Sequence, residues 1–172
     1  MHSVKNRTKK KILNGMQGLI KIILNLFSRK FLIKISLILK PFFELIFRGN
    51  RFVDPINNKS YSYFFPYGYN KLRKNALSPG TLSLERHRLL WIFLEKETDF
   101  FNTENKILHI APEQCFYKNF KKNFESYTTC DLNSPIAEIR ADVCNLPFDE
   151  NEFDFVLCNH VLEHVYDDEK AM

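Results

Sequence analysis

The chain has 172 residues, of which 45% are hydrophobic and 26% are charged, and its formal net charge is +5 at pH 7. This length and hydrophobic share allow one domain with a real core plus an appendage. The 4 cysteines form no CxxC pair and no signal-peptide cleavage pattern is visible. These features argue against a secreted, disulfide-bonded protein, so we expect a reducing, cytoplasmic location.

The basic residues are concentrated at the start of the chain. Residues 1–51 hold 12 Lys or Arg and a single acid, Glu44, whereas the remainder holds 13 basic and 19 acidic residues. The same segment is rich in large aliphatic residues, and its pattern predicts two amphipathic helices, Lys10–Ser28 and Lys30–Arg48. Pro41 is expected to kink or end the second helix.

We treat residues 1–50 as a basic helical arm. Its lysines interrupt each apolar run before it approaches the ~20 residues that a membrane span needs. The arm suits the surface of an anionic membrane, at the inner face, where apolar side chains enter the interface and lysines meet headgroups. It also suits a cap over the following domain or a partner subunit. Nucleic-acid binding is the least favoured of the three roles, because the basic residues alternate with aliphatic ones.

Residues 51–82 form an aromatic-rich linker or a degenerate zinc-knuckle-like segment. Its ends, Asp54–Asn57 and Ser78–Thr81, have the outline of two CPxC knuckles without any cysteine, so we expect no metal. Ordinary Asx and proline turns explain the same residues. If a knuckle fold is present, aromatic residues must supply its core: Tyr61, Tyr63, Phe64, Phe65, Tyr67 and Tyr69.

A helix is predicted over Ser83–Phe101. An apolar stripe of Leu84, Leu90, Trp91 and Leu94 marks its buried face. The charged run Glu85–Arg88 would either border a cofactor pocket or lie solvated at the surface.

The order of elements after this helix predicts a parallel sheet. Strands are expected at Lys106–Ile110, Tyr127–Cys130 and Phe153–Cys158, and the last of these is apolar enough to be covered on both faces. Between the first two, Phe116–Phe124 places phenylalanines at helical spacing. Asp131 follows the second strand about 20 residues after the first one ends, the spacing at which a carboxylate reaches ribose hydroxyls.

Polar residues follow the last strand. Asn159, His160, Glu163 and His164 lie where α/β sheets bind ligands, beyond the carboxyl ends of strands. A helix beginning near Asn159 would place the two histidines on one face. Either histidine is a candidate general base, while a structural or capping role explains both equally well. Their spacing matches no standard zinc signature.

These motifs resemble a known family. The segments Leu146–Phe148 and Phe153–Val165, with Asp142 upstream, are similar to the LPF and (N/S)HVLEH region of class I S-adenosylmethionine-dependent methyltransferases of the type 11-like group. Leu108–Glu113, LHIAPE, and Ser83–Trp91, SLERHRLLW, resemble a subgroup in which LHIAPE replaces the usual glycine-rich loop. The resemblance implies a Rossmann-like α/β fold and S-adenosylmethionine as cofactor.

The resemblance also implies roles for individual residues. The methionine end of the cofactor would meet the loop after the first strand, the ribose would meet the end of the second, and the adenine would meet the segment after it. The implied cofactor-binding residues are His109, Ala111, Glu113, Asp131, Leu132, Asp142, Val143 and Asn159, and the catalytic candidates are His160 and His164. The lack of glycine in the first loop leaves open whether the cofactor still binds.

The resemblance covers residues 83–172, which hold candidates for the first four strands of a seven-stranded domain. We therefore expect an apparently truncated methyltransferase whose fragment lacks robust activity. The expected reaction is O-methylation of a small or lipid-like acceptor. The alternative is a noncatalytic membrane-associated or scaffold protein on a degenerate methyltransferase fold.

Overall fold

The computed structural model of the protein describes residues 29–68 and 71–172. The chain divides into two compact units, residues 1–42 and 43–172. The predicted helix Lys10–Ser28 and the aromatic residue Tyr69 lie outside the described residues.

Helix α1 spans Arg29–Ile46 and includes Pro41. Of the two expected effects of Pro41, the end of the helix is wrong, because the helix continues for five residues beyond it, whereas the kink stays a prediction. Large apolar side chains of α1 are exposed: Ile35, Ile38, Leu39, Phe42, Leu45 and Ile46. None of the helices that the structure describes is long and apolar enough to cross a membrane.

Two antiparallel hairpins follow the helix. Strand β1, Arg48–Asp54, pairs with β2, Lys59–Tyr61. Strand β3, Phe65–Tyr67, pairs with β4, Arg73–Leu77. The segment that the sequence presents as an aromatic linker or knuckle is therefore a pair of hairpins.

Aromatic contacts join the last turn of α1 to the second hairpin. The ring of Phe65 lies edge-on to Phe43 and Phe47, with centroids 5.4 Å and 4.8 Å away. Glu44 forms an ion pair with Lys59 at 2.7 Å. These contacts attach residues 43–47 to the two hairpins.

A buried carboxylate joins the two knuckle-like turns. Asp54 is fully buried and accepts hydrogen bonds from the backbone N–H of Ile56 at 3.1 Å, from the hydroxyl of Thr81 at 2.5 Å and from the hydroxyl of Ser78. Within the first turn, the hydroxyl of Tyr61 accepts a hydrogen bond from the Asn57 amide at 2.8 Å. Polar side chains thus hold the turns together at the positions where a zinc knuckle would have ligands.

The remaining chain builds an α/β unit. Its helices are α2, Glu85–Glu97, and α3, Gln114–Asn123. Its strands are β5 (Ile107–Ile110), β6 (Tyr127–Asp131), β7 (Ile139–Arg140) and β8 (Phe155–Cys158). The sheet order is β7-β6-β5-β8 and every pairing is parallel, which confirms the predicted parallel α/β arrangement.

One face of the sheet carries the main core, which is aromatic. Phe100, Phe116 and Phe120 are fully buried, and the Trp91 ring stacks on Phe120 with centroids 5.8 Å apart. Phe124 is 5% exposed, so the predicted phenylalanine stripe of α3 faces this core. Burying these rings stabilises the unit, because it removes a large apolar area from water.

The opposite face is less well covered. Leu108, Ile110 and Cys130 are buried there against the half-buried loop residues that lead into β8. Val156 of β8 is 55% exposed. Among the described residues, the expectation that this last strand is covered on both faces is therefore wrong. Loop residues pack on this face of the sheet, and they leave Val156 exposed.

The chain after β8 is not a continuous helix. A single 3₁₀ turn spans Leu162–His164, and a short helix, α4, spans Asp168–Ala171. The predicted helix beginning near Asn159 is wrong, because His160 has a φ of 55°, a left-handed conformation that an α-helix excludes.

Candidate cofactor site

The candidate site lies at the carboxyl end of the central strand, β5. Strand β5 has β6 on one side and β8 on the other, and Ile110 is in register with both Cys130 and Cys158. The three strands consequently end at the same level. Ligands of open α/β sheets bind at such a switch point, beyond the carboxyl ends of the strands.

Ala111 makes the turn out of β5. Its φ is 52°, and its N–H donates to the carbonyl of Cys130 at 2.9 Å. Left-handed backbone is ordinary for glycine and costs other residues about 1 kcal/mol. At Ala111 the loop therefore has the left-handed backbone that glycine usually adopts, although the loop contains no glycine.

Side-chain contacts hold this loop in place. Nε2 of His109 lies 2.6 Å from Oε2 of Glu113, and Nδ1 lies 2.8 Å from the hydroxyl oxygen of Tyr127. The His109 side chain is fully buried and that of Glu113 is 17% exposed. Burial, with a further contribution from Glu113, raises the pKa of Tyr127 well above its usual range, so the phenol remains protonated. One carboxylate oxygen of Glu113 therefore helps to hold the loop through its contact with His109.

Helix α3 begins directly after the loop. Its N-terminal position is Glu113, whose side chain makes no capping hydrogen bond with any described residue. The first N–H groups of a helix point outward and carry partial positive charge, and they attract anions. This end of α3 is therefore suited to a carboxylate.

His87 of α2 reaches the same end of the sheet. Its ring lies 5.7 Å from that of Phe116, and both Glu113 and His160 are close enough to interact with it electrostatically. Nδ1 accepts the N–H of Leu84 at 3.1 Å. Burial lowers the pKa of His87 to about 4, so the ring is neutral near pH 7 and its proton lies on Nε2.

Three buried donors near this loop have no hydrogen-bond partner among the described residues. They are Nε2 of His87, Nε2 of Gln114 and Nδ2 of Asn159. Gln114 is the first residue of α3, and Asn159 directly follows β8. Buried donors without partners are costly, so a cluster of them indicates an acceptor that is supplied from outside the chain. Nε1 of Trp91 also lacks a described partner, but it lies within the aromatic core.

Asp131 ends β6 with one carboxylate oxygen occupied. Oδ1 accepts the N–H groups of Asn133 at 2.7 Å and Ser134 at 2.5 Å. None of the hydrogen bonds among the described residues uses Oδ2. Leu132, the next residue, is 49% exposed. The capping role and the predicted ribose-binding role of Asp131 are therefore compatible, because they use different oxygens.

Asp142 and Val143 occupy a turn after β7. Asp142 is exposed, and its Oδ1 accepts the N–H of Cys144 at 2.9 Å. Val143 packs against the buried cluster that contains Leu108 and Ile110. The carboxylate of Asp142 thus orders the turn, which leaves the backbone and Val143 as the part of this segment closest to the sheet.

His160 and His164 do not share a helix face. Nδ1 of His160 lies 3.0 Å from Oε1 of Glu163, and both side chains are more than half exposed. His164 ends the 3₁₀ turn and is also exposed. A carboxylate that orients an accessible imidazole is an arrangement suited to a general base.

The cysteines are poor nucleophile candidates. All 4 are free, and burial raises the pKa of Cys130 to about 11 and that of Cys115 further. A thiol must lose its proton to react, so these groups are inert near neutral pH.

His87 and Gln114 are the residues that sequence reasoning missed as donors. Sequence reasoning placed His87 in a charged run that was either solvated or at a pocket border. Its spacing from Trp91 and Leu94 is helical, and all three are buried on one face of α2. That spacing is the signal by which the burial of His87 is recognisable.

A comparison with protein families adds one finding. A family model described as a methyltransferase domain matches residues 103–172, the part of the chain that contains β5 to β8 and the strand exits described above. No curated protein and no solved structure matches the chain.

Proposed function

Because residues 103–172 carry a methyltransferase domain, consistent with the class I S-adenosylmethionine-dependent type, we propose that the protein transfers a methyl group from S-adenosylmethionine to a hydroxyl of a small or lipid-like acceptor. The observation that carries the proposal is the set of buried donors without a described partner, which belong to α2, to the start of α3 and to the residue that follows β8. They lie where a parallel sheet of this order binds its ligand.

The amino-acid end of the cofactor fits these donors. Its carboxylate would accept from Nε2 of His87, from the side-chain amides of Gln114 and Asn159, and from the first N–H groups of α3. Hydrogen bonds to a charged acceptor stabilise by roughly 1.5–3 kcal/mol each. The cofactor would thus satisfy groups that the chain itself leaves unpaired.

The nucleoside end fits the neighbouring strand. Oδ2 of Asp131 would accept from a ribose hydroxyl, while Oδ1 keeps its contacts with the following turn. The exposed Leu132 offers an apolar surface to the adenine, together with Val143. This assignment retains the roles implied by the family resemblance.

The cofactor supplies an electrophilic methyl group, so the chain has mainly to position the acceptor in line with it. His160 lies at the exit of β8, and Glu163 orients its ring. In the proposed reaction His160 takes the proton of the acceptor hydroxyl at its Nε2 atom, and His164 is the second candidate.

Calorimetric titration tests the carboxylate pocket. The chain is titrated with S-adenosylhomocysteine and with 5′-methylthioadenosine, which lacks the amino-acid tail. We expect the first ligand to bind at least about tenfold more tightly. The variant Asn159→Leu should lose much of this preference, whereas Asn145→Leu, a change at an exposed turn, should keep it. Failure of both ligands to bind at millimolar concentration would overturn the proposal.

The same titration separates the enzyme from the alternative, a noncatalytic membrane-associated or scaffold protein. A scaffold on a degenerate fold would bind neither ligand. Strand β8 has a partner only on its β5 side among the described strands, and binding of the cofactor does not by itself establish turnover. Cofactor binding and turnover are therefore measured separately.

A further inference from the structure

Six described apolar side chains of α1 form an exposed stripe. Ile38 and Leu45 are each 72% exposed, and Phe42 and Ile46 are 58% and 54% exposed. With Ile35 and Leu39, they recur at intervals that place them on one side of an α-helix. Exposing so many large apolar groups in one row is unfavourable in water, so the row indicates an interaction surface.

The last turn of α1 uses a different side of the helix for its own contacts. Phe43 lies on the opposite side of the helix from Leu45, and it packs on Phe65 together with Phe47, the residue that follows the helix. The ion pair with Lys59 neutralises Glu44, the only acid in residues 1–51. The helix therefore combines an exposed apolar row with a segment that has no unpaired negative charge.

The positive charge of residues 1–51 distinguishes between the possible partners of the stripe. The 12 basic residues of this segment include Lys30, Lys34 and Lys40 of α1, and the exposed Arg48 follows the helix. A second copy of the chain packed on this stripe would bring two strongly basic segments together, which is unfavourable. An anionic lipid surface offers both an apolar interior for the stripe and negative headgroups for the lysines.

We propose that α1 docks on an anionic lipid surface, with Ile35, Ile38, Leu39, Phe42, Leu45 and Ile46 entering the interface. The helix lies in the plane of the membrane, and the positive charge of the same segment is attracted to the negative headgroups. This inference rests on α1 and its charge, and it is independent of the proposed methyl transfer.

Flotation of the full chain with vesicles tests the proposal. The protein should float with vesicles that contain phosphatidylglycerol, and added salt should weaken this binding, whereas pure phosphatidylcholine should retain little of it. The double variant Ile38→Ser/Leu45→Ser should bind about tenfold or more weakly, because two buried aliphatic groups are lost. Leu89→Ser/Phe93→Ser is the matched control, since it removes two exposed apolar groups from α2 and should bind as the wild type does.

Circular dichroism confirms that both double variants remain folded, as expected for exposed positions. Equal binding by the Ile38/Leu45 variant and the wild type would overturn the proposal, as would equal binding to neutral vesicles. Sedimentation without lipid tests the competing partner of the stripe, which is a second copy of the chain. A dimer that the Ile38/Leu45 variant abolishes, together with no flotation, would assign the stripe to a second copy.

Discussion

Ala111 and His160 leave two adjacent parallel strands with the same left-handed backbone, at φ values of 52° and 55°. Their strands are in register up to Ile110 and Cys158, so the two turns lie side by side at the switch point of the sheet. Left-handed conformations of non-glycine residues are strained and concentrate at functional sites. The candidate site is thus bordered by two strained strand exits.

Replacing Ala111 with glycine should stabilise the protein by about 0.5–1 kcal/mol, because glycine adopts this φ without a steric penalty. Chemical denaturation measures the change. Ala141→Gly is the control, since Ala141 has no positive φ, and there the added backbone freedom should destabilise by a similar amount. If both substitutions changed the free energy of unfolding in the same direction, the strain at Ala111 would be refuted.

Asp131→Asn should weaken binding of S-adenosylhomocysteine by roughly tenfold to a hundredfold, because an amide is a poorer acceptor than a carboxylate for ribose hydroxyls. The amide oxygen can still accept from the N–H groups of Asn133 and Ser134, so the melting temperature should change little. Calorimetry measures the affinity. Asp149→Asn, in an exposed loop, serves as the control, and an unchanged affinity in Asp131→Asn would remove the ribose role.

Periodicity was sufficient to predict the framework of the α/β unit. The alternation and length of the apolar runs predicted β5, β6 and β8, and the phenylalanine spacing predicted α3, because these signals are local. The turn at His160 escaped prediction, since the residues after it continue a helix-compatible pattern. Its left-handed φ depends on the packing of the strand exit, which periodicity does not report.

Long-range polar contacts also could not be predicted from the sequence. Asp54 meets Ser78 and Thr81 across 24 and 27 residues of chain, and no local pattern specifies such a contact. The knuckle outline indicated that the two turns belong together. It did not indicate that a carboxylate and two hydroxyls would replace the ligands of a metal site.

Asp54→Ala should destabilise the protein by about 3 kcal/mol, because it leaves the buried Ser78 and Thr81 hydroxyls without their acceptor. Thermal and chemical denaturation measure the loss. The control Asp99→Ala removes a carboxylate from an exposed position and should change stability by less than about 0.5 kcal/mol. Equal losses in the two variants would show that the network contributes nothing specific.

His87 should make the stability of the fold depend on pH. Its pKa is about 4 in the folded protein, against 6.5 for an unperturbed histidine, so between these values the unfolded chain binds a proton that the folded chain does not. The contribution of His87 to the free energy of unfolding is therefore fully present above pH 6.5 and is lost as the pH falls towards 4. The loss should reach about 2 kcal/mol, allowing for solvent screening of the partly accessible ring.

The variant His87→Asn tests this, since the asparagine oxygen can replace Nδ1 as acceptor of the Leu84 N–H while the side chain no longer titrates. Denaturation at a series of pH values should show a smaller fall in stability for this variant than for the wild type over the window set by the two pKa values. His164→Asn, at an exposed position, should follow the wild type. Parallel curves for the wild type and His87→Asn would mean that folding does not lower the pKa of His87.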